Sequence, residues 1–172
     1  MEKGYVQIYT GNGKGKTTAV IGLSVRAAGA GLNVYIAQFM KQGTYSELKA
    51  LACLDDRITI EQFGTGKFTR GHPMDDDCAA GQRGMDAVKK ALDSGLYDVV
   101  VMEEGAMAEK FGIISTKDIL ELIQNKPDQT ELIITGRGAS DELIAAADLV
   151  TEMKEIKHYY QAGVKARPGM EH

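Results

Sequence analysis

Short apolar runs rich in β-branched residues recur along this chain, separated by longer segments whose apolar positions fall three and four apart. The short runs predict strands over 5–10, 33–39, 58–63, 97–103, 130–135 and 147–153. Several of them are apolar at consecutive positions, as in Y-D-V-V-V-M-E, which is expected where helices cover both faces of a parallel sheet. The longer segments predict helices over 16–29, 45–53, 75–94, 116–125 and 140–146. Ser115, with Asp118 three residues on, reads as the N-cap of the fourth helix, and Pro127 stops that helix before the next strand. The alternation of strand and helix predicts an α/β fold in three layers, an open and mostly parallel sheet with helices on both faces.

Composition narrows the picture. A chain of 172 residues, 44% apolar and 26% charged, is long enough to bury a core and reads as one domain over 1–172. The segment from about 157 onward is less regular and is expected to wrap an edge. A formal net charge of −4 speaks against broad nucleic-acid binding, although it leaves room for a local basic patch. Cys53 and Cys78 form no C-x-x-C pair, so neither a zinc site nor a disulfide framework is expected. The start has no signal-peptide layout, and no apolar run reaches the roughly 18 to 20 residues that span a bilayer. A cytoplasmic protein without a membrane partner is the expectation.

The chemistry begins at residues 9–18, Y-T-G-N-G-K-G-K-T-T. A strand runs into a glycine-rich turn and a helix follows near Lys16, the context a phosphate-binding loop requires. Glycines let successive backbone N–H groups curl around phosphate oxygens, and the helix N-terminus adds partial positive charge. The loop residues Thr10, Gly11, Asn12, Gly13, Lys14, Gly15, Lys16, Thr17 and Thr18 are therefore nucleotide-binding candidates. Lys16 is expected to meet phosphate charge, and the Thr17 hydroxyl to ligate Mg²⁺. Thr10 stands where the usual loop pattern has glycine.

A second acidic element suits the same site. The strand ending in Glu103 and Glu104 offers carboxylates to a magnesium ion or to its water shell. Strand alternation points neighbours to opposite faces, so one of the two is expected to reach the metal. Glu104 is the preferred ligand, with Glu103 supporting it. Arg137, in the turn T-G-R-G-A, either steadies phosphoryl charge or holds a backbone carbonyl or ribose; both readings stay open. The three histidines are scattered without a catalytic triad, and His158 is read as a structural hydrogen-bonder. The residues alone thus describe a magnesium-nucleotide protein with a phosphate-binding loop.

Longer stretches carry a resemblance. T-G-N-G-K-G-K-T-T, D-V-V-V-M-E-E, R-A-A-G-A-G-L-N-V, Q-F-M-K and the run I-I-T-G-R-G-A-S-D-E-L-I-A-A-A-D-L-V-T-E-M-K-E-I-K-H-Y-Y-Q-A-G-V-K-A-R-P-G-M-E resemble the P-loop corrinoid adenosyltransferases. The similarity runs from about residue 5 to 171. It implies a RecA-like P-loop NTPase fold and usually a homodimer. The implied enzyme transfers the 5′-deoxyadenosyl group of ATP to the Co(I) of a reduced corrinoid and releases tripolyphosphate. A flavin-type reductase supplying Co(I) is the implied partner. By the same resemblance Asn12, Lys14 and Arg137 are nucleotide contacts, the segment 165–167 lies near the nucleotide, and Lys16, Thr17 and Glu104 form the catalytic set. Alternatives on this scaffold are a P-loop ATPase or phosphotransferase, or a non-catalytic ATP- or corrinoid-binding protein. The middle of the chain departs from the family pattern. F-G-T-G-K-F-T-R-G-H-P (63–73) inserts Lys67, keeps Phe68 and has Arg70 where tryptophan is expected. Phe68 and Arg70 are the corrinoid-side candidates, and Ala106 replaces a polar side chain after the acidic strand. By that resemblance the chain, starting at its first strand, also lacks the N-terminal lid extension of some members.

Overall fold

A computed structural model describes residues 2–66 and 72–171 of the chain. Six strands form one sheet: β1 (Val6–Thr10), β2 (Val34–Phe39), β3 (Ile58–Phe63), β4 (Val99–Glu103), β5 (Glu131–Thr135) and β6 (Leu149–Glu152). Their order is β3-β2-β4-β5-β1-β6, and every pairing is parallel. The expected "mostly parallel" sheet is thus wholly parallel. All six predicted strands are present, and most bounds shift by one or two residues.

Between them lie α1 (Lys16–Gly29), α2 (Ser46–Leu51), α3 (Asp75–Asp93), α4 (Gly105–Lys110), α5 (Thr116–Asn125) and α6 (Asp141–Ala146). The Ser115 hydroxyl accepts the Asp118 N–H at 3.1 Å, and so caps α5 as its sequence predicts. Two elements depart from the expectation. The helix expected over 45–53 tightens after Leu51 into a 3-10 turn, Ala52–Leu54. The short helix α4 is an addition; it directly follows Glu104, whose left-handed backbone (φ 58°) ends β4 abruptly and starts a new turn.

Strand alternation divides the apolar residues into two cores. In β4, Val100 and Met102 pack with β5 residues Leu132 and Ile134 beneath α3, α4 and α5. Val99 and Val101, with Ile133 and Ile36, face Val20, Ala27 and Ala28 of α1. Each fully buried aliphatic side chain of this kind contributes about 1.5–3 kcal/mol. Because every strand runs the same way, the loops after β1, β2, β4 and β5 collect at one edge. Parallel α/β sheets bind ligands there, outside the carboxyl ends of their strands. On the α1 face, the parity of Val99 and Val101 continues to Glu103 and aims it at the start of α1.

Candidate active site

The loop after β1 is shaped by close approach. Gly11 has φ +94°, and a Cβ there would lie 2.5 Å from the Met153 carbonyl oxygen, so this turn has no room for a side chain. The Gly13 N–H donates to that same carbonyl at 2.6 Å. Gly15 (φ 122°) then precedes α1 with no side-chain capping bond. An uncapped N-terminus leaves its first amides free for an anion, as a phosphate-binding loop needs.

The cleft in front of this loop has a volume of about 820 Å³. Gly13, Lys14, Gly15, Lys16, Thr17 and Thr18 line it from one side, and Glu104 and Arg137 from the carboxyl ends of β4 and β5. Lys41, Tyr45 and Glu47 close one wall, and the C-terminal segment, through His158, Tyr160 and Glu171, closes another. Most of the expected nucleotide residues thus share one cavity. Thr10, Gly11 and Asn12 stand back from it. Thr10 is buried, and its hydroxyl accepts the Ala139 N–H at 3.2 Å. Its side chain therefore ties the loop to the turn that carries Arg137, an anchoring contact that glycine cannot make. Asn12 lies exposed. Phe68 and Arg70 lie outside the described residues.

Lys16 is buried and donates to the Gly11 and Gly13 carbonyls at 2.7 and 2.8 Å. The loop is closed on its own lysine, which must turn outward to meet a phosphate. Burial lowers the Lys16 pKa, and the nearby Arg137 charge lowers it further. Arg137 therefore acts electrostatically on the loop.

Of the two acidic residues, Glu104 lines the cleft, and Glu103 stands behind it, joined to the cleft through Thr17. Glu103 is fully buried, and its Oε1 accepts the Thr17 hydroxyl at 2.6 Å and the Lys41 ammonium at 2.6 Å. Its Oε2 accepts Gln38 Nε2 at 2.9 Å. The left-handed Glu104 backbone breaks the alternation, and the Glu104 side chain lines the cleft. The Glu104 N–H donates to the Thr135 hydroxyl at 3.0 Å, which fixes this turn. Glu104 Oε2 is buried and has no partner. Burial, followed by the Glu103 charge, raises the Glu104 pKa. An orphaned carboxylate oxygen and the Thr17 hydroxyl, lining one cleft, are the kinds of oxygen that a hard cation would take. Among the described residues no group of three or more His, Cys, Asp or Glu could hold a metal unaided. A cation here would need ligand oxygens from a bound phosphate chain.

Sequence reasoning missed several residues. Gln38 and Gln62 sit in register with Glu103 across β3, β2 and β4, and Gln62 Nε2 donates to Gln38 Oε1 at 3.0 Å. A glutamine inside the otherwise apolar run V-Y-I-A-Q-F is a signal for such a partner. Burial works to lower the Lys41 pKa, and the Glu103 charge and hydrogen bond outweigh it and raise it. At the other wall Lys14 donates to Tyr159 Oη at 3.0 Å, the Met170 carbonyl at 2.6 Å and Glu171 Oε1 at 2.7 Å. Arg167, in the segment expected near the nucleotide, donates to Glu171 through its backbone N–H at 2.8 Å. His158 Nδ1 accepts the Tyr160 N–H at 3.1 Å, the structural role expected of it. Ala106 is fully buried in the core and lies away from the cleft.

Comparison with known proteins adds an independent line. The model of a family described as ATP:corrinoid adenosyltransferase BtuR/CobO/CobP matches residues 2–172. A corrinoid adenosyltransferase of Escherichia coli K12 is 31% identical over 171 residues, covering 99% of this chain and 87% of the relative. The corrinoid adenosyltransferase CobA of Salmonella typhimurium is 32% identical with the same coverage. A corrinoid adenosyltransferase of Pseudomonas aeruginosa is 32% identical, covering 99% of this chain and 84% of the relative.

Proposed function

The chain belongs to the ATP:corrinoid adenosyltransferase family, and from that premise we propose how its cleft performs adenosyl transfer. The enzyme transfers the 5′-deoxyadenosyl group of ATP to the Co(I) of a reduced corrinoid. The bond from cobalt to the ribose 5′-carbon forms as the bond from that carbon to the triphosphate oxygen breaks. The electron pair of the broken bond leaves on tripolyphosphate. Co(I) is itself a strong nucleophile, so the protein supplies no base to activate it. Its tasks are in-line positioning and charge neutralisation on the leaving group.

The observation that carries this reading is the juxtaposition of an uncapped α1 N-terminus, Lys16, Thr17 and the partnerless Glu104 oxygen in one cleft. The loop amides and Lys16 bind the triphosphate. Thr17 and Glu104 hold magnesium, while Glu103 orients the Thr17 hydroxyl. Magnesium bound there supplies charge neutralisation on phosphate oxygens. Lys14, Thr18 and Arg137 contact the nucleotide from the loop and from the turn after β5, and Gly11 and Asn12 shape the loop around it. Thr10 supports that loop from below. Phe68 and Arg70, outside the described residues, stay the corrinoid-side candidates that the family resemblance implies. A flavin-type reductase delivers the electron that makes Co(I). The chain acts as a single domain in the cytoplasm, consistent with two free cysteines, and pairs as a homodimer. Among the described residues no helix is long and apolar enough to cross a membrane.

The test is anaerobic incubation with ATP, Mg²⁺ and a chemically reduced corrinoid, following the cobalt–carbon product optically and the phosphate products by chromatography. Stoichiometric alkylated corrinoid and tripolyphosphate are expected. ADP with orthophosphate in their place would select a phosphotransferase, and nucleotide binding without turnover a carrier protein.

A further inference from the structure

Lys41 is a cation in the cleft that neither the loop motif, the acidic strand nor the turn after β5 accounts for. Its position is built with care. β2 ends at Phe39, and Met40 adopts a left-handed backbone, φ 58°, that side chains other than glycine rarely take. Strained residues of this kind persist where surrounding structure enforces them, and they cluster at functional sites. Here the turn carries Lys41 back over the strand ends into the cleft wall.

There the Lys41 ammonium meets Glu103 Oε1 at 2.6 Å, and the same oxygen accepts the Thr17 hydroxyl at 2.6 Å. The ammonium is therefore no farther from the Thr17 hydroxyl than those two contacts laid end to end. Glu47 lies 4.0 Å from the ammonium, and the Tyr45 ring centroid 5.1 Å away. The side chain is 17% exposed, so the ammonium is half-withdrawn yet still borders the open cavity. Meanwhile Lys16 is spent on the loop's own carbonyls.

Glu103 does not depend on Lys41 alone. Gln38 holds its other oxygen, Gln62 holds Gln38 in turn through a ladder across three strands, and the Gly43 N–H donates to Gln62 Oε1 at 3.0 Å. This leaves the carboxylate fixed when one partner departs. A carboxylate that is held rigidly and a lysine on a flexible stem form a tether that a more highly charged anion can outbid.

We infer that Lys41 is a further phosphate-binding cation of this site, paired with Glu103 in this structure and transferred to the polyphosphate chain when ATP binds. Its ammonium then meets the negative charge that gathers as tripolyphosphate leaves, and it is a catalytic residue in the sense of touching that group. No bond of Lys41 forms or breaks, and its proton stays on the ammonium throughout. The assignment rests on the adenosyltransferase reading above, which supplies tripolyphosphate as the departing group.

Calorimetric titration with inorganic tripolyphosphate, in the presence of Mg²⁺, tests it on the native protein and on Lys41→Met and Lys41→Gln. Glutamine keeps a donor on Glu103 while removing the charge, so it preserves the fold should methionine disrupt it. Both neutral variants are expected to bind tripolyphosphate about tenfold more weakly, the scale of a lost charge-assisted hydrogen bond. Lys41→Arg, which keeps the charge, is expected to restore most of the affinity. A purely structural lysine would change the melting temperature of the free protein and leave tripolyphosphate affinity alone. Unchanged affinity in a folded Lys41→Gln would overturn the role of Lys41 and leave the enzyme's function standing. Failure of the native protein to bind tripolyphosphate at all would instead overturn the reading on which the role rests.

Discussion

Glu104 concentrates three costs in one residue. Its backbone is left-handed, which costs a non-glycine residue about 1–2 kcal/mol. Its carboxyl is buried with one oxygen unpartnered, and its pKa is raised by that burial and then by the charge of Glu103. A protein selected only for stability would not keep such a residue, whereas one that must bind a cation there would. Glu104→Gln retains the shape and removes the charge. Its unfolding free energy in the absence of ligand is expected to rise by about 1 kcal/mol, because an amide costs less to bury than a carboxylate. Adenosyl transfer is expected to fall by at least about tenfold, the scale on which a charged contact acts. Chemical denaturation and initial rates measured on one preparation check both halves. Lower stability with full activity would show that the carboxylate serves the fold and not the cation.

At the scale of elements, the chain's pattern was legible wherever the physics is local. Apolar runs predict the six strands, and the Ser115 cap predicts the start of α5 at its true residue. What the pattern hides is local geometry that reverses a rule. Alternation applies to Glu103 and fails at Glu104, because a single left-handed residue resets the direction of the chain, and the same residue creates the unpredicted α4. The Gln62–Gln38–Glu103 ladder is hidden for another reason, since it exists only once strand register is known. β6 shows the limit from the other side. The pattern predicts the strand but not its place, which is the sheet edge, with Leu149 44% and Val150 39% exposed. An edge strand with exposed aliphatic residues and unpaired backbone groups is a template for association. We propose this edge as the contact of the homodimer. Sedimentation velocity is expected to find a dimer at micromolar concentration, and Val150→Lys is expected to weaken it by about tenfold or more, as a charge on an edge strand does. A native protein that sediments as a monomer removes the dimer from the picture.

Across the whole molecule, the last residues of the chain return to its first loop. Glu171 gathers Arg167, Lys14 and the Tyr159 hydroxyl, joining positions 157 residues apart through Lys14. No local pattern in the sequence encodes such a contact; it follows from the sheet order, which puts β6 beside β1 and leads the C-terminal segment across the cleft. The carboxylate stands on Lys14 where a phosphate oxygen is expected to sit, so nucleotide and clasp compete for one ammonium. Hydrogen bonds from Arg167, then from Lys14 and Tyr159, hold the Glu171 carboxyl well below its ordinary value of 4.5. A depressed carboxylate pKa fixes the direction of the pH effect. The clasp has its full stability above pH 4.5, where Glu171 is ionised whether the clasp is open or closed. That stability is lost progressively as pH falls from 4.5 toward the depressed value of the closed form, because the open form takes up the proton first. The Arg167 N–H, which donates to Glu171 at 2.8 Å, gives a direct readout. Its nuclear magnetic resonance shift is expected to titrate with a midpoint well under 4.5 in the free protein, and Glu171→Gln is expected to abolish the titration. Addition of ATP at neutral pH is expected to move the same resonance toward its position in Glu171→Gln, because the nucleotide frees Glu171 by taking Lys14. A midpoint at the ordinary carboxylate value, with no response to ATP, would mean that the C-terminal segment lies over the loop without gripping it.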